Sequence, residues 1–375
     1  MRAIHVSAWR DPHGRPGAEL LEAWPTLMDV AAAATGAGVQ VEVVQAGWRD
    51  EVLERAGVRV HFVSEPGARL VPRRLSRIVL PLRLMARVRA LRPDVIHFQG
   101  LGFPVATRMA ASLGAPVLVQ DHCDAVPLPH RRALHRWGLR RAAGVAFTDV
   151  AMAEPFVVAG VLPRQTPVFP VLESSTHFTP GDLAAARAAA GIHGDPCLLW
   201  IGRMTEAKDP WTVLDAFERA VAGLADARLW MAFGDAPLLP QVRARIGASP
   251  LLRERVRLLG RVPHGRVQAL LRGADLYLSA SRRESTGYAL LEALASGAAP
   301  LVTDIPAHRR ITRGGAVGGL YPCGDAGALA ERIAEHASRP RAAERARVRE
   351  HFDRHLSFAT VGRELADAYA RVAGR

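Results

Sequence analysis

Residues 197–211 read Cys-Leu-Leu-Trp-Ile-Gly-Arg-Met-Thr-Glu-Ala-Lys-Asp-Pro-Trp. An apolar run closed by glycine predicts a strand buried on both faces, as in a parallel sheet. Asp209-Pro210 then predicts a helix start with proline in its first turn. A buried strand that passes to a helix through a short polar loop is half of a βαβ unit. Ligands of such sheets bind beyond the carboxyl ends of the strands. Arg203 and Lys208 fall at that end.

The same alternation runs outward in both directions. Residues 3–8, 39–44, 58–63, 95–99, 116–120, 144–148 and 167–171 read as strands before it. A helix is expected over 18–34, with Leu20, Leu21, Trp24, Leu27, Met28 and Ala31 at helical spacing. The pattern lapses over 171–182, a polar stretch with Pro180 and Gly181 that reads as a linker. Beyond it, 228–233, 256–259, 276–280 and 300–303 join 197–201 as strands. Helices are expected at 210–222, 264–272, 287–295 and 326–337. The tail 358–371 is helical, with Val361, Leu365, Ala368, Tyr369 and Val372 on one side. The expected fold class is therefore α/β, with two Rossmann-like parallel-sheet domains in series, residues 1–172 and 173–355, facing a central cleft. Residues 356–375 form a tail helix.

Composition narrows the chemistry. The 375 residues carry 49 basic and 36 acidic side chains, a net charge of +13. Lys208 is the only lysine, and there is no asparagine. A GC-rich genome gives such a bias. Without asparagine there is no N-glycosylation acceptor, and without Gly-Lys there is no P-loop. Schiff-base chemistry would have to use Lys208. Cys123, Cys197 and Cys323 are scattered, which supports neither a disulfide framework nor a zinc knuckle. No uncharged run approaches a membrane span, and the first residues read as a strand rather than a signal peptide. The expected setting is cytoplasmic.

Two constellations carry chemistry. Arg203 and Lys208, five residues apart, can converge on one anion, arginine as a fork and lysine as a point charge. A departing diphosphate needs this; two solvated loop cations would look the same. The second is 281–297, Ser-Arg-Arg-Glu-Ser-Thr-Gly-Tyr-Ala-Leu-Leu-Glu-Ala-Leu-Ala-Ser-Gly. Glu284 precedes a helix with Ser285 or Thr286 as cap candidates. The helix start offers N–H groups to a phosphate, and Gly287 lets the ligand approach. Glu284 could accept from sugar hydroxyls and Glu292 from ribose hydroxyls. Alternatively, Glu292 is a surface helix residue, but its apolar neighbours make that position semi-buried and costly without a partner.

Gly-Arg-x4-Lys followed about 80 residues later by Glu-x7-Glu resembles the retaining nucleotide-sugar glycosyltransferases of family 4, which have the two-Rossmann B-type fold. Val168-Phe-Pro-Val, His177-Phe-Thr-Pro and Tyr321-Pro-Cys-Gly-Asp also resemble segments of that family, so the resemblance covers nearly the whole chain. It implies that Arg203 and Lys208 hold the donor diphosphate and that Gly202 ends the strand bearing them. Glu284 would contact the donor sugar and Glu292 the ribose. Gly287 and the backbone at Tyr288 would approach the phosphates. It implies no metal and no cofactor, the nucleoside-diphosphate sugar being a co-substrate, and a tail helix crossing back to the first domain. His122 resembles the family histidine near sugar and acceptor, with Asp121 and Asp124 placed to orient it; a plain loop histidine is the other reading. Gly17 matches one glycine of the family's N-terminal loop, while Pro16 replaces the other. Thr286 stands where the family usually has a bulky aromatic residue.

From 66 to 93 there are eight arginines (69, 73, 74, 77, 83, 87, 89 and 92) and no acid, with Leu70, Leu75, Ile78, Val79, Leu82, Met85, Val88 and Leu91 as an apolar side. Residues 130–141 add five arginines and Trp137. This reads either as a patch for an anionic membrane face or charged acceptor, or as a solvated face inflated by composition. No nucleic-acid motif accompanies the charge. The expected function is transfer of a sugar, with retention, from a nucleoside-diphosphate sugar to a hydroxyl of a small-molecule or lipid-linked acceptor. A nucleotide-sugar epimerase on the same fold and a non-catalytic sugar-nucleotide or lipid-surface binding protein are the alternatives. The intact Arg203, Lys208, Glu284 and Glu292 set argues against the last.

Overall fold

The computed structural model describes residues 1–69 and 79–374. The chain divides into two compact units, Met1–Ser174 with Phe358–Arg375, and Ser175–Ser357. Each is a largely parallel sheet flanked by helices.

The first unit holds β1 (Arg2–Ser7), β2 (Gln40–Gly47), β3 (Glu51–Arg55), β4 (Val58–Ser64), β5 (Val95–Gln99), β6 (Val117–Gln120), β7 (Gly144–Phe147) and β8 (Val168–Pro170). Their order is β3-β4-β2-β1-β5-β6-β7-β8. All pairings are parallel except β3 with β4. The central strands are buried on both faces, with Ala3, Ile4, Val95, Ile96, Val117, Leu118, Val145 and Ala146 at 0% exposure, which is why they read as apolar runs. Strand β3 was not expected. It reads Glu-Val-Leu-Glu-Arg and alternates between half-buried and exposed. An antiparallel edge strand buries too little to leave an apolar signature.

The helix expected over 18–34 is two helices, Gly17–Ala23 and Thr26–Gly36. Pro25 has no N–H for the ladder and breaks it. Trp24 closes the first helix by donating its N–H to Leu20 O. Its ring, expected on the apolar side, is 48% exposed. The tail helix Phe358–Val372 packs on Thr26–Gly36 within this unit. Gly362 makes that possible, since a Cβ there would lie 2.1 Å from Ala33 O. Beneath it the Tyr369 hydroxyl sits 2.7 Å from both His5 Nε2 and His97 Nδ1, all fully buried.

Part of the arginine-rich stretch, with Arg73, Arg74 and Arg77, lies outside the described residues. Its later part forms helix Leu82–Ala90. Met85 and Val88, read as part of a free apolar side, instead pack into the core of the unit with Leu84. Arg83 pairs with Asp50 at 2.7 Å, and Arg87 donates to His61 Nδ1. These side chains serve the fold.

The second unit holds β9 (Cys197–Gly202), β10 (Arg228–Phe233), β11 (Val256–Gly260), β12 (Leu276–Ser279), β13 (Ala299–Thr303) and β14 (Gly319–Tyr321), in the order β11-β10-β9-β12-β13-β14, all parallel. Chain connections run outward in one direction from β9 and in the other from β12. The point where strand order reverses therefore lies between them. An unexpected helix, Arg341–His355, carries few apolar residues and packs through Val348, His351 and Phe352. Its Arg345 donates to Arg272 O, Ala274 O and Ser296 O. One guanidinium thus serves the terminal carbonyls of helices His264–Gly273 and Tyr288–Ser296, groups that helices leave without internal partners. No helix among the described residues is long and apolar enough to cross a membrane.

Candidate functional site

Gly202 is the last residue of β9, and the loop after it is fixed at several points. Met204 is fully buried and donates its N–H to Asp235 O. Asp209 adopts a left-handed conformation (φ 44°) as the cap of helix Pro210–Ala220. Its carboxylate accepts from Thr212 N at 3.3 Å and Thr212 Oγ1 at 3.0 Å. The same carboxylate accepts from Arg282 at 2.7 Å, and Arg282 N–H donates to Ala207 O at 3.0 Å. The loop after β12 is thereby stitched to the loop after β9, across the point where strand order reverses.

That stitching brings Lys208 to Glu284. The ammonium donates to Glu284 Oε1, and both side chains are largely buried. The Arg203 guanidinium is exposed and has no partner among the described residues. Helix Tyr288–Ser296 begins at Gly287, which is left-handed (φ 77°) and supplies no side-chain cap. Ser285 and Thr286, expected as caps, are buried one and two residues earlier. Only a residue tolerant of positive φ suits that cap position. Tyr288 stands exposed at the helix start.

Glu292 is mostly buried, and its Oε1 accepts from His264 Nε2 at 2.9 Å. Burial raises its carboxyl pKa, while His264 works in the opposite direction. Tyr277 on β12 registers both acids: burial first, then the charges of Glu284 and Glu292, raise its phenol. Sequence reading missed His308. Its Nδ1–H donates to Thr303 O at 2.8 Å. Burial lowers its pKa to about 4, with Glu284 and Lys208 both acting on it. Its place in helix Pro306–Thr312, the helix that follows β13, was the available signal.

In the first unit, His122 follows β6. Its Nδ1 lies 3.1 Å from Glu173 Oε2 and its Nε2 2.7 Å from Gln99 Oε1. An oxygen on each side lets both nitrogens donate, an arrangement that favours the charged ring. Burial alone would lower its pKa; the hydrogen bond and charge of Glu173, helped by Asp124 and Asp121, raise it instead. Asp121 and Asp124, expected to orient the ring, make their hydrogen bonds to backbone. Asp121 accepts from Cys123 N and Asp124 N, and Asp124 from Leu101 N. Burial pushes the Asp121 carboxyl up to about 6. Glu173 and Gln99 were not singled out from the sequence. A polar residue closing the apolar strand β5 was the only hint of Gln99. Gly17 is buried as the first residue of its helix, and its N–H donates to Glu51 Oε2 at 3.1 Å.

Two family models match. "Glycosyl transferase 4-like domain" spans residues 23–171, and "Glycosyl transferases group 1" spans residues 195–339. The chain belongs to the family 4-type glycosyltransferases. The second match contains Gly202, Arg203, Lys208, Glu284, Gly287, Tyr288 and Glu292; the first contains His122. Gly17 and Glu173 fall outside both.

Among its relatives, this glycosyltransferase is 35% identical over 139 residues to the phosphatidyl-myo-inositol mannosyltransferase of Mycobacterium leprae, covering 36% of each chain. It is 27% identical over 284 residues to the 2-deoxystreptamine N-acetyl-D-glucosaminyltransferase of Streptomyces fradiae, covering 66% of this chain and 65% of that one. The matches thus span less than two thirds of either relative. Anabaena HepE, solved with UDP and glucose, superposes with a TM-score of 0.68 at 17% identity, covering 99% of this chain and 100% of that one. Sucrose-phosphate synthase of Thermosynechococcus elongatus gives 0.67 at 17%, covering 100% of each. These two share its B-type fold.

Proposed function

We propose that this glycosyltransferase moves a sugar, with retention of configuration, from a nucleoside-diphosphate sugar to an acceptor hydroxyl. The observation that carries the proposal is the Lys208–Glu284 pair at the strand-order reversal of the second sheet, on the same loop as Arg203, which has no partner among the described residues. Without donor, Glu284 neutralises the buried ammonium. When a diphosphate arrives, Lys208 and Arg203 turn to its oxygens, and Glu284 is released to accept from sugar hydroxyls. The start of helix Tyr288–Ser296 at Gly287 receives a phosphate. Glu292, steadied by His264, accepts from the ribose hydroxyls.

The first unit carries the acceptor. His122, held at Nδ1 by Glu173, exchanges its Nε2 contact with Gln99 for a sugar oxygen. The bond from the anomeric carbon to the diphosphate oxygen breaks while that to the acceptor oxygen forms on the same face. The acceptor proton passes to the departing diphosphate. Mannosyl transfer to a phosphatidylinositol and N-acetylglucosaminyl transfer to 2-deoxystreptamine, named for the two relatives, show how far acceptors range in this family. The UDP in HepE makes UDP-sugars the first donors to test.

Contact with an anionic membrane face is a further part of the reading. Leu128, Leu134 and Trp137 are 60%, 47% and 43% exposed, among exposed Arg131, Arg136 and Arg140. Apolar side chains with surrounding cations suit an interfacial helix.

A panel of nucleotide sugars scored by thermal stabilisation tests the donor assignment. A ligand at 100 times its Kd adds about 2.7 kcal/mol. No stabilisation by any member of a UDP-, GDP-, ADP- and dTDP-sugar panel would refute it. The anomeric configuration of the product, read by NMR, tests retention.

A further inference from the structure

Arg10 lies three residues past β1, at the carboxyl end of the strand beside which the first sheet reverses its order. It is 8% exposed. Its Nε donates to Gly47 O at 3.2 Å, and its guanidinium carbon lies 5.4 Å from the centre of the Trp48 ring. The Nη groups have no hydrogen-bond or ion-pair partner among the described residues.

The loop does contain a carboxylate, but it is committed elsewhere. Asp11 grips Arg15 through Oδ1 at 2.8 Å and Oδ2 at 3.1 Å. Glu65, also buried, acts on Arg10 only through its field, and its Oε1 accepts from Leu84 N. Burial accordingly lowers the Arg10 pKa, with Glu65 opposing. A sunken cation without a counter-ion is costly. Unlike Arg83 and Arg345, Arg10 has Nη donors without a partner among the described residues.

We infer that Arg10 is an anion-recognition residue for the acceptor, and that the acceptor carries a phosphate or comparable anionic group. The inference rests on the first unit holding the acceptor, as proposed above. Arg10 and His122 stand at the ends of β1 and β6, with β5 between them. The Arg10 guanidinium lies over the end of β2, against Gly47 and Trp48, so three inter-strand steps set it about 14 Å from the end of β6, the span of a phosphorylated sugar or cyclitol with one contact at each end. The attacked hydroxyl would lie near His122 and the anion at Arg10. The fork binds phosphate oxygens in bidentate fashion, and Trp48 supplies an apolar wall beside it. An acceptor whose recognised group is neutral or cationic would leave the Nη groups unmatched.

The test is calorimetric binding to the full chain of matched pairs: glucose 6-phosphate against glucose, and myo-inositol 1-phosphate against myo-inositol. A third arm uses phosphatidylinositol in phosphatidylcholine vesicles against phosphatidylcholine alone. Phosphate should tighten binding about tenfold or more in the wild type, and Arg10→Gln should abolish that gain without lowering the melting temperature. Arg10→Lys should keep part of it. A gain confined to the vesicle arm and dependent on Arg10 supports a lipid headgroup as the source; a gain in the soluble arms supports a free phosphorylated acceptor. Equal binding of phosphorylated and neutral partners in every arm, or a gain that survives Arg10→Gln, overturns the inference. UDP, GDP and ADP titrated in the same preparations keep the two readings apart. Nucleotide binding without a phosphate gain removes the Arg10 site alone, whereas absence of nucleotide binding strikes the donor assignment.

Discussion

Lys208 and Glu284, 76 residues apart in sequence, form an ion pair at the point where the second sheet reverses its strand order. The pairing follows from β9 and β12 being neighbours and from Arg282 tying their loops together through Asp209 and Ala207. It holds the ammonium of the chain's one lysine at that point.

Replacing Lys208 with alanine should lower turnover by roughly 10²–10³, the effect of losing one stabiliser of developing charge. Lys208→Arg should also impair turnover, since the planar fork does not reproduce a compact point charge. Initial rates of nucleotide release check both. Full activity of the arginine variant would make the lysine incidental.

Glu173→Gln should lower the titration point of His122. With the carboxylate gone, burial, the largest influence on the ring, would be opposed only by the charges of Asp124 and Asp121, and the pKa should fall. NMR titration of the ring protons gives the direct reading. The wild-type group, with its raised pKa, contributes stability that is full below the unfolded value and is lost as pH rises through the folded one. The alkaline limb of the activity profile should move to lower pH in the variant.

The His5, His97 and Tyr369 cluster should make the first unit sensitive to acid. Burial lowers His5 to about 3 and puts His97 well below its ordinary value. The unfolded chain therefore binds more protons below about pH 6.5, and stability falls as pH drops from there toward 3. The slope reaches roughly 1.4 kcal/mol per pH unit for each ring. Urea unfolding at pH 7.5 and 5.5, compared with a His5→Gln/His97→Gln variant, isolates it. Tyr369→Phe should cost about 1–3 kcal/mol by leaving buried ring nitrogens unpaired.

Arg345→Ala should destabilise the second unit by about 2–4 kcal/mol, because three helix-terminal carbonyls lose their donor at once. Arg345→Lys should recover less than half of that, since one ammonium cannot span the three acceptors as the fork does. The midpoint of the second unit's denaturant transition is the measurement.

For the membrane reading, sedimentation with phosphatidylserine-containing vesicles should be lost when Leu134 and Trp137 become serine. Wild-type protein that stays in the supernatant would end it.

The sequence by itself determined the fold class and offered candidates for the donor side. Parallel strands buried on both faces leave apolar runs, and Gly202-Arg203, Lys208, Glu284 and Glu292 stand at readable spacings around two of them. It could not show β3, whose single pairing needs no apolar pattern, or the break at Pro25, where helical spacing continues across two helices. Nor could it show which partner a polar side chain takes. Glu173 reaches His122 from 51 residues away, and Gln99 from 23. The arginines are the clearest case. Composition makes them alike, whereas in the structure Arg345 closes helix ends, Arg83 is tied to Asp50, Arg203 stands open and Arg10 is buried without an ion pair among the described residues. Burial and counter-charge are properties of position in space, so only the tertiary structure could separate a cation paired within the fold from one without a partner among the described residues.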